Sequence, residues 1–418
     1  MPIAPTVGTV RRITQREADA ICDRHDRLWS AKPGGARAVF AWMDLSGLSF
    51  RGRNLNDADF TGAILDGAKF CKARLDHALF FGADAQNTDF SDASLRRADL
   101  RGACLRNADL TGADMFEADL REGVIATADR QRGFRVLEHA KRASEAQGAT
   151  MAGANLERSK MSGVVAIRCD FTDAILKDAN LVRANLKQAS FHGANLAGAD
   201  LTGSDLAGAD MRDCILVGAK TYAANLSDTN MTGALTDKLA GKNISDLPYE
   251  AMIHDHALWC ETLGGEGSPS RFDEADLRLL KTLKGFNLTA LSARRAVFYG
   301  LNMEGVQLQG AHLEGADFRA CNLRHADLRG ARLTGAKLSG ADLRDAQMGP
   351  LLIAPDRLLP CDMTRAILKG VDFTGADLRH AILLSADLTR SKFSGALMKD
   401  VDLTAAHREG ATGLEDHI

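Results

Sequence analysis

A five-residue period runs through most of this chain. Ala58-Asp59-Phe60-Thr61-Gly62, Ala98-Asp99-Leu100-Arg101-Gly102 and Ala108-Asp109-Leu110-Thr111-Gly112 share one unit: a small residue, Asp or Asn, Leu or Phe, a polar residue, then Gly or another polar residue. With the Leu or Phe taken as the centre, centres recur every five residues from Leu45 to Leu120, Met151 to Met231, Leu288 to Met348 and Met363 to Leu403. Ile353 and Leu358 fall on the centres missing between Met348 and Met363, so that stretch reads as degenerate repeat. A period of five fits neither the helix at about 3.6 nor the strand at about 2. A chain that turns a corner once per unit, with the centre and the small residue two before it pointing inward, closes a square after four units. Successive coils would then stack at the inter-strand spacing of about 4.8 Å.

That geometry places residues twenty apart above one another, so large rings should recur at that spacing. They do: Phe50, Phe70 and Phe90, then Phe60 and Phe80, Phe171 and Phe191, Phe298 and Phe318, and Phe373 and Phe393. Aromatics make up only 6% of the chain while Gly reaches 39 residues, which suits a core of many small layers better than one large core.

The pattern A(D/N)LXX resembles the pentapeptide-repeat family. The resemblance implies a mainly β fold, a right-handed quadrilateral parallel β-helix, and no common catalytic activity. The expected division is a flexible tail (1–12), a helical N-terminal cap (13–42), an array (43–122), a helical or loop insertion (123–150), an array (151–237), a helical linker and second cap (238–285), an array (286–405) with an irregular segment (349–362), and a tail (406–418).

Solenoid ends expose strand edges and an open core, so caps are expected. Residues 13–30 read as an amphipathic helix with a Thr14–Glu17 capping box and Ile21, Leu28 and Trp29 as candidates for its buried face. Leu258-Trp259 repeats Leu28-Trp29 ahead of the third array, which suggests a duplicated cap-plus-solenoid module. His254, His256 and Cys260 do not suit a metal, because positions i and i+2 do not share a helix face, and this second cap is expected to carry its histidines exposed. In the insertion, residues 129–145 read as one helix with Phe134, Val136, Leu137 and Ala140 inward and Arg130, Arg132, Arg135, Lys141 and Arg142 largely outward. It is either a partner-binding loop or a tolerated insertion. Leu351 and Leu352, in a stretch with three prolines, are either a contact site or folded back on the scaffold. The last coil either pairs with another copy, giving a homodimer, or is covered by the tail.

No nucleotide-binding, nucleophile-elbow, zinc-protease or EF-hand motif occurs, and no cofactor is implied. The formal net charge of −3 disfavours a general grip on nucleic acid, and no apolar run reaches a membrane span. Without an export signal, the eight cysteines are expected reduced in a cytoplasm. Two functions are weighed: a non-enzymatic scaffold for a protein partner, and, through the resemblance, a DNA-mimicking modulator of a type II topoisomerase. Mimicry calls for a strongly acidic face. The arrays carry about −4 (43–122), −2 (150–237) and +2 (286–405), with Arg96, Arg97, Arg101 and Arg106 interrupting the first. The scaffold reading is therefore preferred.

Overall fold

The computed structural model describes residues 10–129, 133–239, 248–280 and 282–414, with the backbone alone over 124–142. Residues 1–9 and 415–418 of the two expected tails lie outside the described residues. The chain divides into two compact units, Met1–Lys238 and Leu239–Ile418.

One unit of five shows why the period works. Ala58 and Phe60 are fully buried. The Ala63 N–H donates to the Phe60 carbonyl across a tight turn in which Gly62 has φ 61°. A turn of this kind needs positive φ at its third position, which favours Gly, Asn or Asp there. The N–H groups of Phe60 and Gly62 donate to Leu79 and Phe81 of the next coil, and Asp59 donates back to Ala38. Three of the backbone donors of the repeat are thus satisfied by parallel pairing at a spacing of twenty residues, while the Thr61 N–H is taken by the Asp59 carboxylate.

In the first unit this ladder runs from Val39↔Asp59 to Ile215↔Leu235. Phe40, outside the expected array, stacks on Phe60 at 5.1 Å. Phe50–Phe70, Phe60–Phe80, Phe70–Phe90 and Phe171–Phe191 stack at 4.7 to 5.2 Å. In the second unit the ladder begins at Arg271↔Ser292, well before residue 286. Phe298–Phe318 and Phe373–Phe393 stack at 4.6 and 5.0 Å. Pairing continues to Lys392↔Thr412 and Leu414 is buried, so residues 406–414 belong to the last coil and not to a polar tail.

Two N-terminal expectations need correction. Arg11–Arg12 is no tail: it forms β1, parallel to β2 (Met43–Asp44), and covers the edge of the first coil. Helix α1 (Gln15–Trp29) has the Thr14–Glu17 capping box, but Leu28 and Trp29 are about half exposed. Ala18, Cys22 and His25, at i, i+4 and i+7, are the residues it buries.

Helix α2 (Tyr249–Glu261) buries Tyr249, Ile253 and His256 at the same intervals. His25 and His256 are therefore the matching positions, and the Leu-Trp correspondence is one residue out of register. Nor is His256 exposed. His25 Nδ1 accepts the Ala38 N–H and His256 Nδ1 accepts the Ser270 N–H, each at 3.0 Å. His256 Nε2 lies 3.2 Å from the Thr289 carbonyl. Each histidine ties its helix to the chain entering the first coil. Burial pushes both imidazoles below their ordinary value of 6.5. The unfolded chain therefore takes up protons that the folded caps refuse. Their stabilisation is complete above about pH 6.5 and is lost as pH falls toward the depressed folded values. A melting temperature several degrees lower at about pH 5.5 than at pH 7.5 is expected. The H25Q/H256Q variant should flatten that dependence, and an equally steep profile in it would refute the assignment.

Candidate interaction surface

The Asp or Asn ahead of a centre has a local task. In most repeats its carboxylate or amide oxygen accepts the backbone N–H of the residue after the centre, as in Asp59 to Thr61, Asp89 to Ser91 and Asp109 to Thr111 at 2.9 to 3.0 Å; the Asn185 oxygen is an exception. Where that following residue is Arg, its guanidinium folds back on the same carboxylate. Arg101 Nε and Nη2 reach Asp99 at 2.8 and 2.6 Å, and Arg121 reaches Asp119 at 2.9 and 2.7 Å. Arg212, Arg329, Arg344 and Arg379 repeat the clamp on Asp210, Asp327, Asp342 and Asp377. Burial alone would raise the Asp119 carboxyl, but the Arg121 hydrogen bonds and Lys160 outweigh it and hold it below its usual range. Arg319 makes the same clamp while buried against Asp317.

Two segments leave this regular surface. The first was expected to be a helix and is an antiparallel hairpin, β3 (Gly123–Asp129) with β4 (Gly133–Arg142). A helix over 129–145 would carry the chain about 25 Å in one direction. The ladder beneath instead resumes at Cys104↔Glu145, directly above the coil it left. A hairpin goes out and back while pairing its own backbone groups. Ser144 closes the break: its hydroxyl donates to the Leu100 and Arg121 carbonyls and accepts the Gly102 N–H. The array thus resumes with Ala146 as a centre, not at Met151. Arg135, Lys141 and Arg142 lie on β4 opposite Thr127, Val124 and Gly123, while Arg132 falls outside the described residues.

The second is the hairpin β5 (Leu351–Ala354) with β6 (Arg357–Leu359), so the degenerate-repeat reading fails. Ile353 and Leu358, expected as buried centres, are 44% and 54% exposed. Pro350, Pro355 and Pro360 explain it. Each falls two residues after a would-be centre, where the repeat needs positive φ and an N–H for the next coil, and proline provides neither. The ladder bypasses the hairpin at Arg332↔Asp362. Leu351 and Leu359 fold back over Gly330, where an added Cβ would lie 2.8 Å from Leu351 Cβ. Leu352 stays 62% exposed, opposite Leu358. Gly330→Ala, strained also by its φ of 66°, should cost about 1 kcal/mol and lift the hairpin. Trypsin cleavage after Arg357 should then quicken severalfold, and unchanged cleavage would count against the docking.

At the foot of the first hairpin two polar grooves of about 610 and 560 Å3 share Arg101. Their basic side chains are Arg97, Arg101, Arg121, Arg158, Lys160 and Arg183. Arg97 and Arg158 hold Glu117 from either side at 2.8 and 2.9 Å. Sequence reasoning did not nominate this cluster. The twenty-residue spacing from Arg101 to Arg121 was a legible part of it, but Lys160 and Arg183 reach it only across the hairpin. Among the described residues no group of three His, Cys, Asp or Glu is placed to hold a metal. His254 instead lies edge-on to Phe286, and the Cys260 thiol meets the Thr289 carbonyl. No described helix is long and apolar enough to cross a membrane.

A family model for pentapeptide repeats matches residues 36–70, 73–112, 145–178, 179–218, 194–235, 311–348 and 361–395, more than half of the chain. The chain belongs to the pentapeptide-repeat family. No curated protein matches this pentapeptide-repeat chain. Among solved structures it is similar to HetL, a pentapeptide repeat protein involved in heterocyst differentiation regulation from Nostoc sp. strain PCC 7120. That match has 22% identity, covers 92% of this chain and 94% of HetL, and has a TM-score of 0.20. QnrB1, a plasmid-mediated fluoroquinolone resistance protein, matches at 20% identity over 54% of this chain and 98% of its own, with a TM-score of 0.19. A pentapeptide repeat protein of the Arabidopsis thaliana thylakoid lumen matches at 32% identity over 32% of this chain and 69% of its own, with a TM-score of 0.15. Membership implies the right-handed β-helix. TM-scores this low give no ground for comparing overall shapes.

Proposed function

We propose that this protein is a non-enzymatic scaffold that presents its two hairpins from rigid, closed, four-sided solenoid walls to a protein partner. Two capped modules and a reducing, cytoplasmic setting complete the reading. The eight cysteines are free thiols, which fits such a compartment. The observation that carries the reading is that the ladder continues beneath both hairpins, at Cys104↔Glu145 and Arg332↔Asp362. Neither hairpin is needed to pair the coils, and on the second Leu352 and Leu358 are exposed. Arg132, Arg135, Lys141 and Arg142 on the first and Leu351 and Leu352 on the second are the candidate contacts.

The test is affinity capture with the intact protein and with variants lacking 123–143 or 351–360. Loss of one partner with one hairpin supports the reading. Capture of the same partners by all forms overturns it. A homodimer through the last coil is a separate proposal, checked by sedimentation of a variant with Arg408→Glu.

One observation favours the second reading, topoisomerase modulation by DNA mimicry. Around the column Asp89, Asp109, Thr150, Asp170, Ser190, Asp210, the outward positions hold seven aspartates and one arginine. Against it, Arg212 clamps Asp210 within the column itself, and Arg96, Arg106 and Lys187 pair with Asp114, Glu145 and Asp205 on the neighbouring walls. Inhibition of topoisomerase-driven supercoiling, abolished by Asp→Asn changes along this column, would move mimicry to first place.

A further inference from the structure

Resting on the scaffold reading, we infer that the paired grooves at the foot of the first hairpin are a docking surface for an acidic, extended polypeptide segment. The groove is layered by charge. The side chains of Arg97, Arg101, Arg121 and Arg158 are 42 to 58% exposed, whereas those of Asp99, Glu117 and Asp119 beneath them are only 17 to 21% exposed. A partner meets the cations first. Arg101 and Arg121 each spend Nε and Nη2 on their own aspartate, which leaves Nη1 outside the clamp. A guanidinium has five N–H donors, so one held rigid on one side is pre-organised to take a second carboxylate on the other. Lys160 and the exposed Arg183 extend the cationic rim to the next coils.

The strands of the hairpin that rises from Glu122 carry Arg135, Lys141 and Arg142 against Asp129 and Glu138 in their sequence. Among the described residues β3 and β4 pair only with each other, so each offers an outer edge that an extended segment can join by backbone hydrogen bonds. That is the argument for polypeptide over nucleic acid: a phosphate backbone has no strand to add. The four carboxylates Asp99, Glu117, Asp119 and Glu122 are also set between the cations, which suits a mixed chain better than uniformly spaced phosphates. The opposite wall, with its seven aspartates, favours one orientation of approach.

The experiment uses the full chain and a fluorescein-labelled peptide of alternating Glu and Val, about ten residues long, read by fluorescence anisotropy. A Lys-Val peptide and a single-stranded oligodeoxynucleotide of similar length are the competing probes. Binding of the acidic peptide is expected to weaken more than about tenfold between about 50 and 300 mM salt. It should weaken at least as much in R121Q/K160Q/R183Q, with R183Q alone as the milder variant should the triple change unfold the chain. The Lys-Val peptide should not bind. Tighter binding of the oligonucleotide, equal binding by the variants, or no binding of the acidic peptide each overturns the inference. If the peptide fails while capture still depends on residues 123–143, only this inference falls and the scaffold reading stands.

Discussion

Leu110→Asp is expected to lose more than about 4 kcal/mol, while Asp109→Asn, one residue away, stays within about 0.5 kcal/mol of the parent. Leu110 is fully buried between the coils of Phe90 and Met151, and its own N–H is committed to the Thr150 carbonyl at 2.7 Å. A carboxylate there has no water and no partner, so it is either desolvated or forced to take a proton. Asp109 faces outward and is used for one acceptor to the Thr111 N–H, which an Asn oxygen replaces. In a solenoid the damage should also spread, because each coil is stabilised chiefly by its neighbours. Melting followed by circular dichroism should show Leu110→Asp about 10 °C or more below the parent, with Asp109→Asn beside it. Similar losses for the two would mean that the inward and outward positions have been exchanged.

Removing residues 123–143 is expected to leave a folded solenoid, and removing 123–145 is not. The first deletion joins Glu122 to Ser144, so Leu120 and Ala146 become centres five residues apart and the Cys104↔Glu145 pairing falls at the normal spacing of twenty. Ser144, already bonded to the Leu100 and Arg121 carbonyls, fills the small inward position. The second deletion leaves those centres three apart. The turn then comes two residues early, and the following coils present outward positions to the core. The first variant should melt within a few degrees of the parent, while the second should lose most of its ordered signal or aggregate. Equal behaviour of the two would show that the ladder does not run as assigned beneath the hairpin.

The expectations that failed share a cause. Residues 129–145 have apolar residues at spacings a helix also uses, and nothing in their order shows that the chain must return to the point it left. The bypass of Ile353 and Leu358 was legible in principle, since three prolines fall at the one place in the unit that needs positive φ. Counting centres alone hid it. Leu28 and Trp29 looked like core because they are large, yet the face of α1 is set by Ala18, Cys22 and His25, small enough to sit close on the first coil. The groove at the hairpin foot was hidden differently. Lys160 and Arg183 join Arg101 and Arg121 only because the insertion offsets the count by twenty-one residues, and that number was not available before the ladder was.

The sequence by itself determined the solenoid, the inward and outward positions and the stacking of phenylalanines at twenty residues. These follow from a strict local period in which each unit repeats the same steric and hydrogen-bonding problem. The tertiary structure alone decided where the period is suspended and resumed, which histidines anchor the caps, and which distant arginines share a wall. Those depend on closure: the chain must come back to one particular coil, and only the pairing of that coil with its neighbour says where.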